Sequence, residues 1–280
     1  MKKLISILSI TAMSLSLMSF SVSAQQSTNS NPNLQEQNTM SVLWFQTSGE
    51  AKALFHQGYN IGKMRLDEII KKKPKNNSKK IAVVLDLDET VLDNSPYQAW
   101  SVVTGKAYGS SSWTEWVNKA EAKALPGAID FLSYANSKGV DIYYISNRKE
   151  KEEEPATIKN LQRIGAPQAD PEHVLLIKEE DKGKKDEKVK DKRRQQVART
   201  HRIALFFGDN LTDFSGFDNL SVAERNQAVN KRKDEFGKKL IVFPNPMYGN
   251  WEDALYGYKK NLTDAQKAKI RKRSLQPFSP

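Results

Sequence analysis

Residues 81–97 read IAVVLDLDETVLDNSPY, an apolar run followed by four acidic residues, Asp86, Asp88, Glu89 and Asp93. Carboxylates held this close together repel one another unless a cation lies among them. Hard oxygen ligands of this kind select Mg²⁺ over softer metals. With the cation present, an anionic phosphate ester can enter, and an aspartate can attack its phosphorus atom. Asp86 and Asp88, brought together with a further acid, Asp209, therefore predict metal-assisted chemistry at phosphorus.

Polar residues follow two further apolar runs in the same way. Ser146 and Asn147 come directly after DIYYI, and Asp209 and Asp213 lie in GDNLTD, which follows IALFF. A lysine-rich segment, residues 178–194, lies between these two groups. Because the carboxyl ends of parallel strands meet at one edge of a sheet, we expect all three groups to share a site. Ser146 and a lysine would hold the phosphoryl oxygens and offset charge in the transition state.

Two neighbouring aspartates suit a reaction in two steps. One carboxylate attacks phosphorus and forms an acyl phosphate, which divides hydrolysis into two easier reactions. The other protonates the leaving oxygen and then deprotonates water, helped by the raised pKa that a neighbouring like charge imposes. The pair Asp86 and Asp88 provides these two groups.

The elements that must position these residues alternate along the chain. Five short apolar segments predict the strands of a parallel sheet covered on both faces: residues 81–85, 141–145, 174–177, 203–207 and 240–243. Between them, PGAIDFLSYANSKG predicts a helix from Pro126 to Gly139, and ATIKNLQRIGAP predicts another that ends at Gly165. This alternation favours an α/β fold, a Rossmann-like doubly wound sheet with its site at the carboxyl ends of the strands.

The first 24 residues have the layout of a secretory signal peptide. Lys2 and Lys3 precede an apolar stretch from Leu4 to Phe20, and SVSA provides small residues for cleavage after about Ala24. We expect a secreted or periplasmic protein without a stable membrane anchor, because the apolar stretch is short and rich in Ser and Thr. The sequence has no cysteine, so neither a disulfide nor a cysteine-linked lipid is available.

Residues 25–80 are expected to form a flexible leader and an N-terminal helical segment, and residues 81–280 a catalytic domain. The leader, residues 25–38, is rich in Gln, Asn and Ser, and the apolar residues between 42 and 70 are spaced as in helices. A basic linker, KKKPKNNSKK, ends this part of the chain at residue 80.

The formal net charge of the chain is +11. Much of this excess lies in the linker and in residues 178–194, where few aromatic side chains are present to stack on bases. We therefore expect small anionic substrates rather than a nucleic acid polymer as partners.

Four blocks of the sequence resemble one family. Asp86-Leu87-Asp88-Glu89-Thr90 matches the Asp-x-Asp-x-Thr signature of the haloacid dehalogenase (HAD) superfamily. Ser146 and Asp209 fall where the second and fourth motifs of that superfamily lie. The stretches DLDETVLDNSPY, ISNRK, GDNLTDF and PNPMYGNWE are similar to the class C bacterial nonspecific acid phosphatases. The resemblance implies a HAD core with small cap-like inserts after the first and fourth motifs.

The resemblance also implies roles for the acids. Asp86 is expected to be the nucleophile that becomes phosphorylated, and Asp88 the general acid and base. The cofactor Mg²⁺ is expected on Asp86, on the backbone carbonyl of Asp88 and on Asp209, with Asp213 in support. Ser146, and with it Asn147, is expected to bind phosphate.

A phosphate-binding lysine belongs to the third motif of this family. The sequence offers five candidates: Lys184, Lys185, Lys188, Lys190 and Lys192. Family members carry this lysine about three residues before an arginine pair, and the pair Arg193-Arg194 therefore favours Lys190.

Aromatic side chains line the substrate entrance in this family, and Trp113 and Tyr248 occupy the matching blocks. Stacking on them would favour nucleoside 5′-monophosphates and aryl phosphates. The resemblance thus implies a secreted, Mg²⁺-dependent acid phosphatase of a family whose members often form homodimers. Two alternatives stay open: a phosphotransferase on the same core, and a surface or periplasmic nucleotide-binding protein with incidental catalysis.

Overall fold

The computed structural model describes residues 33–72, 79–181 and 190–279. The predicted signal peptide, the leader as far as residue 32, most of the basic linker, and Lys184, Lys185 and Lys188 lie outside these ranges. Within the leader, residues 33–38 are described, and Glu36–Asn38 forms one turn of 3₁₀ helix. Among the helices in the described ranges, none is long and apolar enough to cross a membrane.

The strands, in chain order, are β1 (Lys80–Leu85), β2 (Leu92–Asp93), β3 (Lys123–Ala124), β4 (Asp141–Lys149), β5 (Val174–Ile177), β6 (His201–Gly208) and β7 (Leu240–Val242). Five of them form a parallel sheet in the order β5-β4-β1-β6-β7. These five are the predicted strands, and the predicted α/β fold is confirmed. Strand β4 is longer than predicted, because it continues beyond Ile145 through Ser146, Asn147 and Arg148 to Lys149.

The strand order explains where a site can form. From β1 the chain moves outward to β4 and β5, and then crosses back to β6 and β7 on the other side of β1. This reversal makes β1 the switch point of a doubly wound sheet, where a crevice opens at the carboxyl ends of the strands. Strands β4 and β6, which flank β1, end in the other two predicted groups of polar residues.

The helices, in chain order, are α1 (Thr39–Thr47), α2 (Gly49–Lys71), α3 (Ser95–Thr104), α4 (Ser110–Lys119), α5 (Ala128–Ser137), α6 (Glu150–Arg163), α7 (Asp191–Thr200), α8 (Val222–Lys231), α9 (Asn250–Leu255) and α10 (Asp264–Arg273). Helix α5 is the helix predicted after Pro126. Helix α6 begins earlier than predicted, at Glu150, because Glu150, Glu152 and Glu153 give its first turn the negative charge that a helix N-terminus favours.

The N-terminal helices pack on the sheet and share its core. Helix α2 begins where the Ser48 hydroxyl accepts a hydrogen bond from the Ala51 N–H at 3.0 Å. Two glycines let it approach the strands closely: a Cβ on Gly58 would lie 2.4 Å from the Phe243 ring, and one on Gly62 would lie 2.6 Å from the Phe207 ring. The helical segment therefore covers one face of the sheet.

An insert follows β1 and reaches over the carboxyl edge of the sheet. It consists of α3 and α4, and the antiparallel pair β2 and β3 closes it at its base, with Leu92 opposite Ala124. Helix α4 packs against α6, which follows β4. The insert is therefore held next to the ends of both β1 and β4, as expected for a small cap.

Candidate active site

A tight turn follows β1 and carries the first motif. The Leu87 carbonyl accepts N–H groups from residues 90–92 at 3.3, 2.9 and 2.8 Å, and the Asp86 N–H donates to the Phe207 carbonyl at 3.0 Å. Glu89 takes a left-handed backbone conformation with φ of 60°. This reversal lifts the motif away from the sheet and leaves its side chains at the edge.

Three carboxylates meet at this edge. One oxygen from each of Asp86, Asp209 and Asp213 lies within 4.8 Å of the others. Burial raises the pKa of Asp86 to about 7, with Asp213 and Asp88 adding to the effect and Lys190 opposing it. Loss of solvent, together with Asp213 and Asp86, also raises the pKa of Asp209 well above its usual range. Crowded oxygen donors that resist ionisation fit a hard divalent cation, whose charge would relieve their repulsion.

Lys190 lies among these acids. Its ammonium donates to Asp86 and, at 2.8 Å, to Asp213, and the lysine itself is 4% exposed. Burial alone lowers the pKa of Lys190, but the Asp213 and Asp86 carboxylates outweigh burial and the net shift is upward. The side chain therefore stays a cation beside the expected nucleophile. Of the five lysine candidates, Lys192 is exposed and pairs with Asp181 at 2.7 Å.

The arginine pair fixes the start of α7, which Lys190 directly precedes. The Arg193 guanidinium donates to the Ser146 carbonyl, and the Arg194 guanidinium donates to the Asp213 carbonyl at 2.7 Å. Arg193 thus ties the first turn of α7 to strand β4, and Arg194 ties it to the turn after β6. These contacts give a physical reason why a lysine three residues before the pair reaches the acids.

Strand β4 delivers two buried side chains to the site. Ser146 is fully buried, and its hydroxyl donates to Asp88 Oδ2 at 3.2 Å and accepts the Arg148 N–H at 3.2 Å. Asn147 lies on the exposed face of the strand and accepts a hydrogen bond from Arg193 at 3.1 Å. Residues alternate in a strand, so Ser146 and Arg148 share one side and Asn147 faces the other. Of the two expected phosphate ligands, only Ser146 contacts a first-motif side chain.

Asp88 is held apart from the three-acid cluster. Its Oδ1 atom receives hydrogen bonds from Arg148 Nη2 at 2.6 Å and from Asn94 Nδ2 at 2.8 Å. Asp209 has its own partner, because Asn245 donates to its Oδ2 atom at 2.7 Å. Arg148, Asn94 and Asn245 were not predicted as site residues. The signal for Arg148 is its spacing of two residues from Ser146 in a strand.

The two predicted aromatic residues lie next to these groups. Trp113 packs edge-on against Tyr97, with ring centroids 5.2 Å apart, and its ring lies 5.8 Å from the Arg148 guanidinium carbon. Tyr248 donates through its hydroxyl to the Glu89 carboxyl. One ring therefore belongs to the insert, and the other approaches from the segment after β7.

Comparison with known proteins agrees with this geometry. The family described as HAD superfamily, subfamily IIIB (Acid phosphatase) matches residues 1–251. A solved structure of the class C acid phosphatase from Bacillus anthracis is 57% identical, with a TM-score of 0.82, and the match covers 88% of this chain and 100% of that chain. A second structure of that enzyme, with tungstate bound, is 58% identical with a TM-score of 0.81 and the same coverage.

Two plant proteins are more distant relatives. Acid phosphatase 1 of Solanum lycopersicum is 25% identical over 166 residues, which are 59% of this chain and 57% of that protein. The stem 28 kDa glycoprotein of Glycine max is 33% identical over 82 residues, which are 29% of this chain and 32% of that protein. The chain thus spans little more than half of the tomato protein and about a third of the soybean protein. The family match and the shared fold show that this chain belongs to subfamily IIIB of the HAD superfamily, the acid phosphatases.

Proposed function

We propose that this chain is a secreted, Mg²⁺-dependent acid phosphatase that hydrolyses small phosphomonoesters through an aspartyl phosphate on Asp86. The observation that carries the proposal is the meeting of Asp86, Asp209, Asp213 and Lys190 at the carboxyl ends of β1 and β6. Three acids and one cation in a buried crevice match the needs of a phosphate ester and its counter-ion. The tungstate bound in the Bacillus anthracis relative, an oxyanion like phosphate, supports the same reading.

Mg²⁺, held by Asp86, Asp209 and the Asp88 carbonyl with Asp213 in support, would supply positive charge against the phosphoryl oxygens. The Lys190 ammonium adds a fixed cation beside the Asp86 carboxylate. Because both the nucleophile and the substrate are anionic, this charge lowers their mutual repulsion during attack.

The chain's own residues then carry out the steps. The Asp86 carboxylate attacks phosphorus, and the bond to the leaving oxygen breaks as Asp88 gives that oxygen a proton. Water next attacks the aspartyl phosphate, and Asp88 takes the proton from that water. Ser146 would hold a phosphoryl oxygen, and its position beside the reacting groups, with its hydroxyl 3.2 Å from Asp88 Oδ2, supports this role. An acidic optimum follows, since Asp88 must be protonated when the leaving group departs.

The substrate class rests on the two rings. Trp113 and Tyr248 contact Arg148 and Glu89, so each ring is anchored beside the first or second motif. Stacking on them would favour nucleoside 5′-monophosphates and aryl phosphates over aliphatic esters. Secretion rests on the layout of residues 1–24.

The test is hydrolysis of 4-nitrophenyl phosphate and a nucleoside monophosphate at acidic pH, with and without EDTA. Asp86→Asn should abolish turnover. EDTA should also abolish the turnover of the wild-type protein, and added Mg²⁺ should restore it. Glu121→Gln, which changes an exposed carboxylate, is the matched control and should behave as wild type. Activity that survives both the chelator and the substitution would refute the mechanism. A chain that binds nucleotide but does not turn it over would instead be a binding protein.

A further inference from the structure

We propose that Arg148 and Asn94 are positioning residues that anchor Asp88 by Oδ1, so that Oδ2 is the oxygen that transfers the proton to the leaving group. The proposal rests on the proposed function, in which Asp88 is the general acid. Arg148 and Asn94 are buried polar residues that have no role in the bond-making and bond-breaking steps of that reaction.

The first observation is the burial of Arg148. Arg148 is 2% exposed, and among the described residues its guanidinium forms one ion pair, with Asp88. Taking two charges out of water is costly, and apolar side chains of similar volume often replace a buried ion pair without loss of stability. A buried arginine at this place is therefore poorly explained by stability alone, and its geometry points to Asp88.

The two Asp88 oxygens are held unequally. Oδ1 accepts hydrogen bonds from Arg148 Nη2 at 2.6 Å, Asn94 Nδ2 at 2.8 Å and Arg148 Nε at 3.0 Å. From the part of the chain that the structure describes, Oδ2 accepts two longer contacts, from the Ser146 hydroxyl at 3.2 Å and from Arg148 Nε at 3.3 Å. Three shorter contacts hold Oδ1 in place, so Oδ2 is the oxygen that the protein's own donors occupy less. That oxygen lies on the side of Ser146, the expected phosphate ligand.

The Asn94 amide has a defined orientation. The side chain is fully buried, and its carbonyl oxygen accepts from the Trp116 indole N–H at 2.8 Å and from Arg148 at 3.4 Å. Because both of those neighbours can only donate, the amide NH₂ must face Asp88. Trp116 belongs to α4, so the insert that covers the site also orients the general acid.

The proton transfers balance over the two steps. In the first, the bond from Asp86 to phosphorus forms, the bond to the leaving oxygen breaks, and the proton on Asp88 Oδ2 passes to that oxygen. In the second, a water oxygen bonds to phosphorus, Oδ2 accepts its proton, and the electron pair of the broken bond returns to Asp86. Both aspartates are restored, and ester and water have become alcohol and phosphate.

Leaving-group dependence separates a positioning role from a structural one. Protonation matters little for 4-nitrophenolate, which leaves readily, and matters more for the basic leaving group of phenyl phosphate. General acid catalysis contributes roughly 10²- to 10⁴-fold. We therefore expect Arg148→Gln to lower kcat for phenyl phosphate at least about tenfold more than kcat for 4-nitrophenyl phosphate. Both substrates carry one aromatic ring, so stacking on Trp113 does not bias the ratio.

A second variant keeps the proposal testable if Arg148→Gln does not fold. Trp116→Phe keeps an aromatic ring but lacks the N–H that orients Asn94, so we expect a smaller change of the ratio in the same direction. Trp100→Phe, in the same insert, is the matched control and should leave the ratio unchanged.

The Asp88→Asn variant distinguishes failure of the positioning proposal from failure of the proposed function. If Asp88→Asn shifts the ratio strongly but Arg148→Gln and Trp116→Phe lower both rates equally, the positioning proposal is wrong and the proposed function stands. If Asp88→Asn leaves the ratio at the wild-type value, the general acid assignment fails and the positioning proposal falls with it. A graded shift, largest in Asp88→Asn and smallest in Trp116→Phe, supports both.

Discussion

The Tyr248 hydroxyl donates a hydrogen bond to the Glu89 carboxyl, although the two residues are 159 positions apart in the chain. Glu89 is fully buried in the first-motif turn, and its other carboxyl oxygen accepts the Asn94 N–H at 2.9 Å. Burial, with Asp88 and Asp209 nearby, raises the pKa of Glu89 well above its usual range. The segment after β7 is thus fastened to the turn that carries the expected nucleophile.

Tyr248 should therefore affect substrate binding through its ring and stability through its hydroxyl. Tyr248→Ala is expected to raise KM for a nucleoside monophosphate about tenfold, because stacking contributes about 1 to 3 kcal/mol per base. KM for an aliphatic phosphate should change little. Tyr248→Phe keeps the ring but leaves a Glu89 oxygen without its donor, so the free energy of unfolding should fall by about 1 kcal/mol. Equal KM values for all three proteins would contradict the stacking role.

Substitution of Lys190 should lower stability and kcat far more than the same substitution of Lys192. Lys190→Met leaves Asp86 and Asp213 without their cation, and breaking a buried pair costs roughly 3–5 kcal/mol. We also expect kcat to fall roughly 100-fold or more, as when a preorganised charge is removed from a transition state. Lys192→Met, at an exposed ion pair, should cost less than about 1 kcal/mol and leave kcat unchanged. Steady-state kinetics and chemical denaturation of both variants test this contrast.

Metal-free protein should lose stability as the pH rises. The pKa of Asp86 is raised from its ordinary 3.8 to about 7 in the folded chain. Between those values the folded state retains a proton that the unfolded state has released, so stability falls with increasing pH through that window. In EDTA, Tm should decline from pH 4 to pH 7 more steeply for wild type than for Asp86→Asn. Excess Mg²⁺ should reverse the decline, since a ligand that binds only the folded state stabilises it. Parallel curves for the two proteins would show that Asp86 is not the group responsible.

Two buried threonines should respond oppositely to loss of their hydroxyls. The Thr90 hydroxyl has no hydrogen-bond partner in the described part of the chain, whereas the Thr157 hydroxyl accepts Arg148 Nη1 at 3.1 Å. An unpaired buried hydroxyl costs about 1–3 kcal/mol. Thr90→Val should therefore keep or raise the free energy of unfolding, and Thr157→Val should lower it by about 1 kcal/mol or more. Urea denaturation measures both, and a destabilised Thr90→Val protein would reveal an unseen partner.

The polar edge of the sheet could be predicted because its signals are local. Asp86, Ser146 and Asp209 each follow an apolar run, and parallel strands bring such residues together without further information. The strand predicted over residues 141–145 stops before Arg148, whereas β4 continues to Lys149 and so has Ser146 and Arg148 on one side.

Other contacts leave no local mark in the sequence. Asn94 meets Trp116 and Arg148, which are 22 and 54 positions away, and Asn245 meets Asp209 at a separation of 36. The sequence around each of these two asparagines is that of an ordinary loop or turn. Only the packed insert and the segment after β7 reveal their partners.

The glycines of α2 have a consequence for the order in which the molecule assembles. Gly58 and Gly62 press against Phe243 and Phe207, which are synthesised only after most of the described chain. Until those two residues exist, the face of α2 that carries Gly58 and Gly62 lacks its partners from the far end of the sheet, and contacts between such distant segments form slowly. This face of the first long helix is thus among the last surfaces to be buried, and its aromatic side chains are the part most in need of protection while the chain is incomplete.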